Sequence, residues 1–185
     1  MLDIHIIHAI GNTIAQYRTE GMGSLFKEVS EAYQARLMGY LNQDIAIDSA
    51  FQNRDERLPI IVVQQSEARL GDRFLGQISP STDTHTQKHI MTDKTCSISI
   101  AAAEMDMVRL LHRVVQAAMI RNMSSFLDAG YQNIMYGGSA PFQVNDEIIS
   151  KSRVVYGRVL RWSSLHLLEI EDTTISEYDI VVGDF

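Results

Sequence analysis

TCSISIAAAEMDMVRLLHRVVQAAMIRNMSSFLDAGYQNIMYGG, residues 95–138, decides how this chain is read. Cys96, Ile98 and Ile100 alternate with serines, the two-residue period of a half-buried strand. After Ala101-Ala-Ala103 the period changes. Val108, Leu111, Val115, Ala118, Met119, Met123, Phe126 and Leu127 recur every three or four residues, which predicts a helix over about 104–128. Glu104 and Asp106 in its first turn complement the positive end of the helix dipole, and Gly130 follows the last apolar residues as a stop. Roughly 25 residues at 1.5 Å each give about 37 Å, enough to cross one face of a small domain. The helix therefore lies along the core, with Arg109, Arg113 and Arg121 at its outward positions. Tyr131–Tyr136 is expected to return as a short strand, ended by a turn at Gly137-Gly138 and Pro141.

On the N-terminal side, Leu2, Ile6, Ala9 or Ile10, and Ile14 predict a helix over about 2–17, weakened by Gly11. Gly21-Met-Gly23 interrupts the pattern. Ser24 is placed to cap a second helix running to Leu41, with Leu25, Val29 and Leu37 on its apolar face. Residues 42–57 read as a connection. Leu58-Pro-Ile-Ile-Val-Val63 is a continuous apolar run, short and β-branched, which predicts a strand covered on both faces. Two glycines in the segment from Leu70 to Gly76 predict a tight turn toward a second sheet edge. Residues 77–94 are polar, and a loop of that length in a small domain reads as a mobile or functional arm.

On the C-terminal side, residues 142–151 form an acidic helix or loop. The run from Arg153 to Trp162 alternates, and Leu165 to Ile170 resumes after Ser163-Ser164, so a hairpin and one long bent strand both fit; two strands with a turn or bulge at the serines are preferred. The tail, 171–185, is acidic with a valine-rich end. One domain, 1–185, is expected: a helical region (1–57), the sheet with its central helix (58–170), the arm within it (77–94), and the tail.

The formal net charge of −7 and pI near 5.3 argue against non-specific attraction to nucleic acid or an anionic membrane. The one cysteine, Cys96, cannot form an internal disulfide, and a reducing site of assembly is expected. The first residues lack the pattern of a secretory signal, and no apolar run reaches membrane-spanning length.

Candidate chemistry is sparse. His85 and His89 have helical zinc spacing, but their surroundings do not favour a helix and no glutamate lies between them. They read as solvated loop residues. Ser163 and Ser164 lack a glycine elbow, and Cys96 lacks an assignable histidine, so acyl transfer is not expected. Asp44 with Asp48, and Asp146 with Glu147, read as surface acids. Neither phosphate-binding glycine pattern occurs. Arg109 and Arg113, with Arg158 and Arg161, form a candidate basic stripe for a nucleic acid or an acidic subunit, although solvated helix residues are the simpler reading. Nine methionines, four of them near the central helix, suit core filling or an adaptable partner surface. No metal, cofactor or enzymatic activity is expected.

The Leu58–Val63 strand, Gly71-Asp72 and Phe74-Leu-Gly76, the run from Ile98 through Glu104 to Leu127, Gly130-Tyr-Gln-Asn133, and Val155-Tyr-Gly-Arg158-Val-Leu-Arg161 together resemble the tail terminator proteins of long-tailed bacteriophages. The resemblance covers most of residues 58–170 and is one of pattern. It implies an α+β fold, a mixed and mainly antiparallel β-sheet packed by helices, in a homohexameric ring. That ring would cap the tail tube, end its polymerisation and join the head-side connector or stopper, meeting the last sheath ring in a contractile tail. DNA would pass through the lumen without specific binding, and no membrane is involved. The product would be made in the host cytoplasm and reside in the virion's tail and neck. Under this resemblance Thr82, Asp83, Thr84, His85, Thr86, Gln87, Lys88 and His89 of the arm, with Arg109 and Arg113, are the candidate interface. The rivals are another neck component, such as a head-completion or adaptor protein, and a small virion hydrolase using Glu104 as its acid.

Overall fold

The computed structural model describes residues 2–23, 25, 26, 28–50, 58–66, 86–141 and 155–172, with backbone alone over 86–93 and 167–172. Within them lie helices α1 (Leu2–Glu20), α2 (Glu31–Leu41), α3 (Met105–Arg121) and α4 (Met123–Asp128). The strands are β1 (Ala46–Asp48), β2 (Ile60–Gln65), β3 (Thr86–Ala102), β4 (Tyr131–Pro141) and β5 (Tyr156–Asp172). They form one sheet in the order β1-β2-β3-β5-β4, parallel at β1/β2 and antiparallel elsewhere. The expected α+β class holds.

The two-residue period of Cys96, Ile98 and Ile100 sets the inner face. All three are fully buried and share one core with Ile61 and Val63 of β2, Leu160 and Trp162 of β5, and the apolar faces of α1 and α3. On α1 that face is Leu2, Ile6, Ala9, Ile10, Ile14 and Tyr17; on α3 it includes Leu110, Leu111, Val114, Val115 and Ala118. Spacings of three and four put each set on one side of its helix. Gly11 is accommodated within α1. The β2 run is buried on both faces as its composition predicts, since Ile60 and Val62 join Ala101 in a smaller cluster opposite the helices. Arg18 ties α1 to the end of α2, donating to the carbonyls of Leu41 (2.8 Å) and Gln43 (2.7 Å), which the helix end leaves without intrahelical donors.

Several local expectations are corrected. The central helix divides at Asn122, whose backbone N–H and side-chain Nδ2 both donate to the Ala118 carbonyl (3.1 and 2.8 Å), an asparagine competing with the regular ladder. α2 starts after Ser30 rather than Ser24, shortening the second helix. Residues 46–48, read as connection, pair as β1 with Ile60–Val62. β4 does not end at Gly137-Gly138. It carries register shifts at Gln132/Met135 and Tyr136/Gly138, and Gly138, at φ +105°, supplies the left-handed conformation that lets the strand continue to Pro141.

The two largest corrections concern β3 and β5. β5 is a single strand through Ser163 and Ser164, which pair with Thr95 and Lys94; the irregularities lie in its neighbour β4. The arm is also partly strand. Residues 86–94 belong to β3 and pair in unbroken register with β5, from Thr86↔Asp172 to Lys94↔Ser164. Polar composition hid a strand whose partner residues lie 70 to 86 positions away in sequence. Residues 77–85, with the Leu70–Gly76 turn, the 142–151 segment and the tail beyond 172, lie outside the described residues.

Candidate functional site

Helical spacing brings Arg109, His112 and Arg113 onto one outward side of α3, because residues three and four apart are neighbours on a helix surface. β5 adds Arg158. It sits opposite Ile100 in the ladder, and strand alternation places it on the helix-facing side with Leu160 and Trp162. The turn between α1 and α2 closes the other wall with Leu25, Phe26 and Val29. The result is a surface groove of about 930 Å³, basic along α3 and β5 and apolar along the turn, with Tyr33, Gln116 and Glu28 completing its lining.

Charges at the two ends of this groove differ. Toward the start of α3, Arg36 lies 3.4 Å from Glu104 and 3.6 Å from Asp106, and Arg109 lies 3.5 Å from Asp106. The Tyr40 hydroxyl donates to Glu104, and that carboxylate holds the Tyr40 pKa above the usual tyrosine range. One turn further on, Arg113 and Arg158 have no carboxylate or hydrogen-bond partner among the described residues. His112 lies between them with its Nε2 buried and without a hydrogen bond. Burial first, then the charges of Arg158 and Arg113, hold its pKa below the usual histidine value.

Three of the four arginines of the predicted basic stripe therefore come together. Arg109, Arg113 and Arg158 meet; Arg161 does not, because three residues along a strand reverse the face, and it pairs opposite Ser97. Arg121 is also occupied elsewhere, 3.0 Å from Gln16 Oε1 and stacked over Tyr17. Of the arm, Thr86, Gln87, Lys88 and His89 lie in β3, while Thr82, Asp83, Thr84 and His85 lie outside the described residues. Glu104 serves as the hydrogen-bond acceptor for Tyr40. By sequence His112 reads as one of several scattered histidines; the signal that finds it is its helical spacing beside Arg109 and Arg113. Leu25 and Phe26 carry no such signal, because the sequence pattern places Leu25 on a helix that in the structure starts only at Glu31.

Among the described residues no three histidine, cysteine or acidic side chains gather as a metal site, and no helix is long and apolar enough to cross a membrane. Cys96 is buried, and burial with the nearby Asp3 charge pushes its thiol up to about 12.

No protein-family model matches the sequence, and no curated protein matches it. Among solved structures the chain is similar to one described as the sheath/tube terminator of an extracellular contractile injection system, PVC, in its extended state, at 15% identity and a TM-score of 0.44. The match covers 84% of this chain and 62% of that one, so the chain spans less than two thirds of its length.

Proposed function

We propose that this protein is a structural tail component whose copies close into a ring, six in number, that caps the tail tube, ends its polymerisation and joins the head-side connector. In a contractile tail the same ring meets the last sheath ring. The observation that carries this reading is the far end of the β3/β5 ladder. Over Thr86–Met91 and Leu167–Asp172 the two strands pair only with each other among the described residues: on the β2 side those end at Ser66, which donates to the Thr95 carbonyl, and β4 pairs no further than His166. A two-stranded ribbon is marginal by itself. Among the described residues no strand pairs with its outer edges, and an edge of that kind is one a neighbouring subunit can complete by adding a strand.

Termination then needs no chemistry. One ring face matches the last ring of the tube, and the other does not reproduce the tube's own docking surface, so growth has nothing to continue on. The overall charge of −7 suits a lumen through which DNA slides without adhering. The ribbon replaces the loop-like arm as the subunit or tube contact.

Light scattering of the purified chain, alone and with tail-tube protein, tests the reading. A closed hexamer, present from the start or formed on addition of tube, is expected. A monomer that ignores the tube would overturn it and favour a head-completion or adaptor protein, which binds the portal side.

A further inference from the structure

We infer that the basic groove beside α3 receives the acidic C-terminal segment, residues 173–185, of a second copy of this chain. The inference rests on the ring reading in taking another copy as the donor.

The groove has two unlike walls. Arg113 and Arg158 stand on one side with Arg109, which also meets Asp106; Glu28 is the carboxylate among the described lining residues, and Leu25, Phe26 and Val29 form the other wall. Its occupant must therefore be both anionic and apolar. Residues 173–185 contain Glu177, Asp179 and Asp184 and no basic residue, and Glu177 and Asp179 flank Tyr178 and precede Ile180-Val-Val182. In an extended chain Glu177 and Asp179 project from one face about 7 Å apart, with Tyr178 and Ile180 on the other. Arg109 and Arg113, four apart on a helix, are separated by about 6 Å. The acids match the arginine wall, and the tyrosine and isoleucine match the apolar wall. A nucleic acid would match only the first, and the chain's net charge of −7 opposes it.

Reach decides which copy supplies the segment. β5 begins beside the groove and runs away from it: from Arg158 to Asp172 a strand advances about 45 Å at roughly 3.3 Å per residue. Beyond Asp172, Glu177 and Asp179 can return at most about 18 and 25 Å. Within one chain Glu177 and Asp179 therefore fall short of the groove, whereas in a closed assembly each copy can offer them to its neighbour's.

A charge-swap experiment on the full-length chain tests this. One variant carries Arg113→Glu with Arg158→Glu, the other Glu177→Lys with Asp179→Lys, and association is read by light scattering. Each variant alone is expected to associate at least tenfold more weakly than the unaltered chain, and their mixture, in which unlike charges again face each other, is expected to recover. Unaltered association of both variants, or a mixture as weak as either one, would overturn the inference. If the unaltered chain is monomeric, the ring reading falls and a labelled peptide of residues 173–185 decides the groove separately. Saturable binding, weakened tenfold or more by the paired arginine reversals, upholds it. No binding overturns it, as does arginine-dependent binding of a fifteen-nucleotide oligothymidylate with none of the peptide.

Discussion

β3 has two halves that share one strand and one partner yet live in different surroundings. From Cys96 to Ala101 it is flanked by β2 and β5 and covered by α1 and α3, with Cys96, Ile98 and Ile100 fully buried. From Thr86 to Met91 it is paired, among the described residues, with β5 alone. The first half is stabilised by burial and cannot be altered without cost to the whole domain. The second is held, among the described residues, by the ladder hydrogen bonds of one partner strand, each worth only about 1 kcal/mol net, and under the proposed function it serves another chain. A similar contrast recurs along α3, whose first turn is engaged with Arg36 while Arg113, beside Arg158 of β5, has no carboxylate partner among the described residues.

The largest expected difference between the two halves is in amide hydrogen exchange. Amides of residues 96–101 should exchange only through global opening, and those of 86–91 at least on the order of a thousandfold faster in the isolated chain. Equal protection in the free monomer would break the comparison; protection of 86–91 that appears only on assembly would sharpen it. Ile98→Ala should destabilise the domain by about 2–5 kcal/mol in urea unfolding. Lys88→Pro should leave the core transition near its original midpoint and weaken assembly, because the ladder is interrupted only in the ribbon. A loss of stability as large as that of Ile98→Ala would show that the ribbon is part of the core.

Cys96 reports on the sealed half. Its thiol, raised to about 12 by burial and then by Asp3, should resist maleimide at pH 8 until the chain unfolds; rapid native-state labelling would mean that the sheet is not covered there. A smaller effect follows from His112. Its folded-state pKa is lowered, so between the unfolded value near 6.5 and that lowered value the unfolded chain binds more protons. Stability from this group is therefore complete above about pH 6.5 and lost as pH falls through the window. His166, lowered mainly by burial and then by Lys94, acts in the same direction. Thermal melts from pH 7.5 to 5.5 should show the decline, and His112→Gln should flatten it. Finally, Arg113→Gln should raise the His112 pKa toward 6.5 without reaching it, because burial, the larger cause, remains. A nuclear magnetic resonance titration showing no change would place Arg113 too far from His112 for the groove described here.

Much of the framework was legible because periodicity reports burial. The spacing in α1 and α3, the alternation of Cys96, Ile98 and Ile100, and the unbroken Ile60–Val63 run each identified an element and its buried face. Errors arose where long-range pairing overrode local composition. Thr86–Lys94 looks like loop because nothing within it announces that Ser164–Asp172 will lie alongside, and Ser163-Ser164 looks like a turn until Thr95 and Lys94 hold it extended. Asn122 shows the converse, a local side-chain hydrogen bond dividing a helix that the apolar spacing would continue.

The sequence by itself determined much of the buried face of the long elements, since a period of two or 3.6 is written in the order of side chains, although Leu127 keeps the apolar spacing and is exposed. It also determined that Arg109, His112 and Arg113 stand together, because helix geometry alone carries them to one side. Only the tertiary structure decided that Arg158 joins them while Arg161 turns away, and that Leu25, Phe26 and Val29 form the facing wall. Those juxtapositions depend on strand register and on the path of a turn, which are set by distant partners rather than by near neighbours in the chain.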